Sequence, residues 1–319
     1  MDSIASICDL PDTAIGGPLG VEAGARSTSK GTSVSRSRDF YELIKPRMNM
    51  LILGTTMVGY FMATQIRSDW LRLPHALLGT ALCAAGAAIL NQLVERRHDA
   101  LMPRTARRPL PTGRVSPREA MALGLLCGIL GTFYLWLMVN TLTAILGGAT
   151  LASYVLIYTP LKRLTTLNTI VGAIPGALPP VMGWTAVTGS ISHTTLALFA
   201  ILFIWQIPHF LAIAILYRDD YRLGGFKMLP VNDPALKATG RQILLYSAAL
   251  LPISFLPVVF HASGEIYGLS AVVLGSIFFY YALSCALGRT RLDARKLFFA
   301  SIIYLPVLLT IMMLNRTQV

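Results

Sequence analysis

Long apolar stretches separated by short polar ones run along most of this chain. A bilayer core takes about 20 helical residues to cross. Apolar stretches near that length recur at 48–66, 75–95, 119–139, 141–159, 168–189, 194–217, 243–261, 266–287 and 297–314. The pattern predicts an all-α, polytopic membrane helical bundle of about nine transmembrane helices. Two junctions, near Asn140 and near Ser190, hold no charge and read as tight turns. Residues 1 to about 40 differ, being rich in Gly, Ser, Thr and mixed charges without an apolar run. No signal-peptide core stands there, and Asp2, Asp9, Asp12 and Glu22 do not suit a mitochondrial transit peptide. This predicts a disordered cytoplasmic tail over 1–40 and a membrane domain over 41–319.

Composition strengthens the reading. Of the 319 residues 54% are hydrophobic and only 13% are charged, where a soluble domain has about 25% charged. A water-facing surface of this size needs more charge, so the natural solvent is lipid. The net charge is +12, and its distribution sets a topology. With the N-terminus in the cytoplasm, all of the 27 Lys and Arg except Arg67, Arg72 and Arg316 fall on the cytoplasmic side, as the positive-inside rule asks. The C-terminus is then outside. Nucleic acid is excluded as a partner, because the basic segments are short, separate and poor in aromatics. Cys8, Cys83, Cys127 and Cys285 lack metal-ligand spacing and read as small apolar residues.

Two basic loops, 96–118 and 218–242, are long, and each follows a helix that ends in acidic residues. The second span ends with Asn91, Glu95 and Asp99, spaced by four. Each such step rotates only about 40° around a helix, so the three side chains form one stripe. Charge at the end of a membrane helix is costly and points to function, although a polar helix end reaching the headgroups is the plainer alternative. Hard oxygen donors without His or Cys suit Mg²⁺, which commonly shares its sphere with substrate phosphates. Arg104, Arg107 and Arg108 follow within the next turns of chain. Carboxylates to hold the metal and guanidinium groups to neutralise phosphate oxygens are what a diphosphate requires.

The sixth span mirrors this arrangement. It carries Trp205, Pro208, His209 and Phe210 and leaves the membrane through Arg218-Asp219-Asp220-Tyr221, where Asp219 or Asp220 could hold a second Mg²⁺. Arg108-Pro-Leu-Pro111 and Lys227-Met-Leu-Pro230 follow the two acidic exits and hint at related halves. His209 would be a structural hydrogen-bond partner, a contact for a substrate carboxylate, or an axial ligand of haem iron. Pro175, Pro179 and Pro180 interrupt the fifth span, which a membrane tolerates beside protein or a cavity.

These residues resemble the UbiA superfamily of intramembrane prenyltransferases, whose first motif is an Asn followed by acidic residues at steps of four. Further matches are similar to its haem-farnesylating branch, the protohaem IX farnesyltransferases. They are Lys45-Pro46-Arg47, Arg104-Thr105, Arg108-Pro-Leu-Pro111, Tyr158-Thr-Pro-Leu-Lys162-Arg163, Asn168, Gly176-Ala-Leu-Pro-Pro180, Gly183-Trp184, Trp205, Pro208-His209-Phe210, Asp220-Tyr221 and Leu229-Pro230. The resemblance covers about residues 40–315. Glu95 stands where Asp is common, and Asp219-Asp220-Tyr221 replaces two aspartates four apart.

The resemblance implies transfer of a farnesyl group from farnesyl diphosphate to a vinyl group of haem b, giving haem O for terminal oxidases. It implies Asn91, Glu95, Asp99 and Asp220 as catalytic residues, with Asn91, Glu95, Asp99, Asp219 and Asp220 around Mg²⁺. It implies Lys45, Arg104, Arg108, Lys162, Arg163, His209 and Tyr221 as substrate contacts. The bacterial inner membrane is the expected location, and a haem A synthase is the expected protein partner. Two other readings stand beside it. A quinone-precursor prenyltransferase keeps the fold and changes the acceptor. A transporter would place acidic residues near the bilayer midplane, whereas here they sit at helix ends.

Overall fold

In a computed structural model, residues 35–64 and 70–317 are described. Most of the expected N-terminal tail, residues 1–34, and Arg67 therefore lie outside the described residues. The described part is helical, and its one β-type contact is an isolated bridge between Ser263 and Arg316. The helices are α1 (Arg36–Ile44), α2 (Pro46–Ala63), α3 (Arg72–Asp99), α4 (Pro117–Met138), α5 (Thr141–Ala152), α6 (Thr159–Leu164), α7 (Asn168–Thr188), α8 (His193–Leu216), α9 (Arg218–Leu223), α10 (Leu229–Asn232), α11 (Lys237–Val259), α12 (Glu265–Gly288) and α13 (Arg291–Leu314). A π-helical segment, Ser153–Tyr158, joins α5 to α6.

Among the described residues, eight helical spans are long and apolar enough to cross a membrane. They are α3, α4, the continuous Thr141–Leu164, α7, α8, α11, α12 and α13. The stretch expected at 48–66 is the 18-residue α2, whose first turn carries Arg47 and Asn49. Three boundaries differ from the apolar pattern. α3 runs on through Arg96 and Arg97 to Asp99; Lys162 and Arg163 belong to a last helical turn; Lys237 and Arg241 lie in the first turns of α11. Helices continue past the apolar run because backbone bonding, unlike side-chain burial, does not stop at the lipid boundary. The last residues of the expected tail, from Arg36, already form α1, which Gln92 ties to α3 by donating to the Leu43 carbonyl at 2.7 Å.

Local chemistry sets the helix ends. Ser116 and Glu119 form a capping box at α4, with Pro117 in its first turn, and Ser192 and Thr195 form another at α8. Asn140 accepts from Thr143 N at the start of α5, in the expected tight turn.

Burial orders the bundle. α3, α7 and α8 are 67%, 61% and 56% buried over their apolar windows, while α4 and Thr141–Leu164 are 22% and 17% buried and turn most of their surface to lipid. α3 packs on α4, α2 on α7, and α8 on α7, α11 and α13. Without a strong hydrophobic drive in lipid, close backbone approach at small residues holds such contacts. A Cβ on Gly183 would stand 1.9 Å from the Thr56 carbonyl oxygen, and one on Gly59 would stand 1.8 Å from that of Pro180. The prolines of α7 therefore sit in an unbroken helix pressed against α2. At the end of the bundle away from Asp99, the Arg316 guanidinium donates to the carbonyls of Phe61 and Thr64, closing the C-terminal segment onto the end of α2.

Candidate active site

The stripe expected on α3 forms and faces inward. Asn91, Glu95 and Asp99 are 2%, 6% and 1% exposed. Buried carboxylates need partners, and each finds a cation from elsewhere in the chain. Lys162 Nζ lies 2.8 Å from Glu95 Oε1, and Arg108 Nη1 donates to Asp99 Oδ2 at 2.9 Å. Asn91 Nδ2 donates to Thr159 Oγ1 at 3.1 Å, and Lys45 Nζ reaches Asn91 Oδ1 at 3.5 Å.

The π-helical segment positions two of these partners. Its wider turn lets both the backbone N–H and the hydroxyl of Thr159 donate to the Tyr154 carbonyl. Such segments are frequent at functional sites. The ring of Tyr158 lies 4.5 Å below the Lys162 ammonium, a cation–π contact that orients the side chain toward Glu95. Nothing in the nearly continuous apolar run 141–159 marks the segment.

The loop after α3 is folded back on its own helix. Thr105 Oγ1 donates to the Asp99 carbonyl at 2.8 Å, which brings Arg108 onto the Asp99 carboxylate. Arg104 turns toward α9 instead. Its guanidinium lies 4.5 Å from the Tyr217 ring and 5.9 Å from the Tyr221 ring, and its Nε lies 3.8 Å from Asp220 Oδ2. Tyr217 adds a ring that the acidic motif alone does not announce, although its spacing of four from Tyr221 marks an aromatic pair on one face.

Other residues expected at the site stand apart. Asp219 is exposed and pairs with Arg291 of α13 and with Arg222, so the two adjacent aspartates point different ways. Arg163 donates to His98 Nε2 at 3.1 Å, and His98 Nδ1 in turn bonds the Gly224 carbonyl at 2.8 Å. That chain links α6, α3 and the loop after α9. The same loop is held by Lys227 N donating to the Lys162 carbonyl and by Asn168 donating to the Lys227 carbonyl. His209 lies deeper in α8, bonded to Ser301 of α13.

Electrostatics show that the cations share one space. Burial first, and then the positive charges of Arg108 and Lys162, hold the Lys45 ammonium down at about 7. Lys162 and Arg108 face Glu95 and Asp99 with Lys45 beside them, and Arg104 stands against Asp220.

The profile of the UbiA prenyltransferase family matches residues 52–303. The chain belongs to the UbiA prenyltransferase family. A protein of Solibacter usitatus named protoheme IX farnesyltransferase is 46% identical over 288 residues, 88% of this chain and 99% of that protein. Among solved structures, one described as digeranylgeranylglyceryl phosphate synthase superposes with a TM-score of 0.73 at 16% identity, covering 88% of this chain and 98% of the other. A UbiA homolog from Archaeoglobus fulgidus bound to DMAPP and Mg²⁺ gives 0.64 at 17% identity, covering 86% and 99%. These two likenesses concern the fold. It is a UbiA fold, and the protein is a multi-pass membrane protein.

Proposed function

We propose that this UbiA-family chain transfers a farnesyl group from farnesyl diphosphate to a vinyl group of haem b. Water completes the hydroxyethylfarnesyl side chain, so haem b, farnesyl diphosphate and water give haem O and diphosphate. The acceptor and the prenyl donor follow the nearly end-to-end likeness to a protein named for that activity. The observation that carries the chemistry is the buried stripe of Asn91, Glu95 and Asp99 facing cations drawn from three other parts of the chain.

The donors suit Mg²⁺. They are hard oxygens, and among the described residues no group of three His, Cys, Asp or Glu is arranged to hold an ion alone. A cation here would therefore complete its sphere with Asn91 and with phosphate oxygens, as Mg²⁺ commonly does. Glu95 and Asp99 would hold it, with Asp220 as the donor from α9; the outward pairing of Asp219 favours Asp220 over its neighbour. When bound, Mg²⁺ stabilises negative charge on the departing diphosphate.

The chain's own groups do the rest. Arg108 and Lys162 are already aimed at carboxylates, and a diphosphate entering between them meets oriented donors that need little reorganisation. Arg104, braced by two tyrosine rings, adds a third donor from the side of α9. Lys45 accepts a proton as the anion arrives. Exposed apolar side chains around the bundle suit entry of the prenyl tail and the haem acceptor from lipid. The basic end faces the cytoplasm of a bacterial inner membrane, and a haem A synthase is the natural consumer of the product.

The test is mass analysis of haems in membranes with and without the protein, with farnesyl diphosphate and Mg²⁺ added. Haem O should appear only where the protein is present. Prenylated hydroxybenzoate without haem O would replace this reading with the quinone-precursor one.

A further inference from the structure

Away from the carboxylate stripe, one imidazole is held on several sides. His209 lies seven residues before the end of α8, about 10 Å along the helix from its last residue. Its Nδ1 is 2.7 Å from Ser301 Oγ on α13. That hydroxyl has one proton, which it donates to the Phe298 carbonyl at 2.6 Å. Ser301 must then accept from His209, so the hydrogen of the imidazole sits on Nδ1. In the neutral ring this leaves the Nε2 lone pair unshared.

The orientation is fixed as firmly as the tautomer. The rings of Trp205 and Phe298 stack on the imidazole with centroids at 4.9 and 5.2 Å and interplanar angles of 18° and 24°. Trp205 Nε1 donates to the Ser301 carbonyl at 3.0 Å, so one serine anchors both the tryptophan and the histidine. His209 is only partly buried, and its one side-chain hydrogen bond among the described residues is made by Nδ1, not Nε2. A lone pair in the plane of a clamped ring, opposite an Nδ1–H bonded to the Ser301 oxygen, is the kind of arrangement a metal-ligating histidine has. No group of three His, Cys, Asp or Glu stands ready to hold a bare ion among the described residues. A metal received here has to arrive with its own equatorial ligands, and haem iron does so.

We infer that His209 Nε2 is an axial ligand to the iron of the haem acceptor, and that Ser301 is the positioning residue that sets its tautomer and direction. The inference rests on haem being the acceptor. Coordination would hold the macrocycle in one place while a vinyl group meets the prenyl cation.

The test uses the full chain in lipid nanodiscs with haem b, read by resonance Raman and Soret absorption. Reduced wild-type protein should show an iron–histidine stretch. His209→Ala should lose that stretch and regain an imidazole-ligated Soret band on adding free imidazole. Ser301→Ala should keep the ligand but weaken haem binding by about ten- to a hundredfold, the usual effect of losing such a partner, and Ser301→Thr should restore it. An unchanged stretch in His209→Ala, or none in wild type, overturns the inference even if haem O is still made. Absence of haem O with wild-type protein would instead overturn the proposed function.

Discussion

Replacing Lys162 by Met isolates the electrostatic work of the site. The methionine keeps an apolar stem over Tyr158 but removes the ammonium 2.8 Å from Glu95. At that separation, with an effective dielectric of about 20, the attraction is about 6 kcal/mol before desolvation is counted. The side chains are only 14% and 8% exposed, so salt screens the pair little. Removing one partner of such a pair leaves the other charge buried, at a cost of about 3–5 kcal/mol. Unfolding of purified protein in mixed micelles should show a loss of that size for Lys162→Met. Lys162→Met combined with Glu95→Gln should recover most of it, because the stranded charge is gone. Farnesyl transfer should stay down by at least about a hundredfold in both variants, equivalent to about 2.7 kcal/mol of transition-state stabilisation. A double variant no more stable than the single one would refute the reasoning, as would a single variant with wild-type stability.

Three further outcomes follow. Asp99→Asn should abolish turnover while the protein still inserts and purifies normally, and chelator should silence wild-type protein until Mg²⁺ is restored; full activity in the variant would remove Asp99 from the site. Lys45, held at about 7, is charged at cost below that pH in the folded state. Unfolding takes up its proton between about 7 and the ordinary 10.5, so its penalty fades as pH rises across that window. Lys45→Met should therefore raise the apo melting temperature more near pH 6 than near pH 9, and farnesyl diphosphate binding near pH 8 should take up a proton by calorimetry in paired buffers. Gly183→Ala should destabilise the protein by about 1–3 kcal/mol or more, since its methyl group meets the Thr56 backbone oxygen and α2 must move away; an unchanged melting temperature would show that α2 and α7 separate freely.

What could be read along the chain and what could not differ in physical range. The membrane helices, the inward stripe of Asn91, Glu95 and Asp99, and the turn at Asn140 follow from periodicity, burial preference and capping, which act within a few residues. Those short-range rules suffice for a helical membrane protein with a polar stripe at one end. The partners of that stripe come from long-range packing. Glu95 meets Lys162 and Asp99 meets Arg108 because a π-helical turn and a folded-back loop aim those cations at α3. Asp219 turns outward while Asp220 meets Arg104, a difference of one residue that no composition or spacing reveals. His209 and Ser301 lie far apart in the chain and bond only because α8 packs on α13. Pairing of this kind depends on the rotation of each helix about its axis, and that rotation is set by the close packing of the whole bundle.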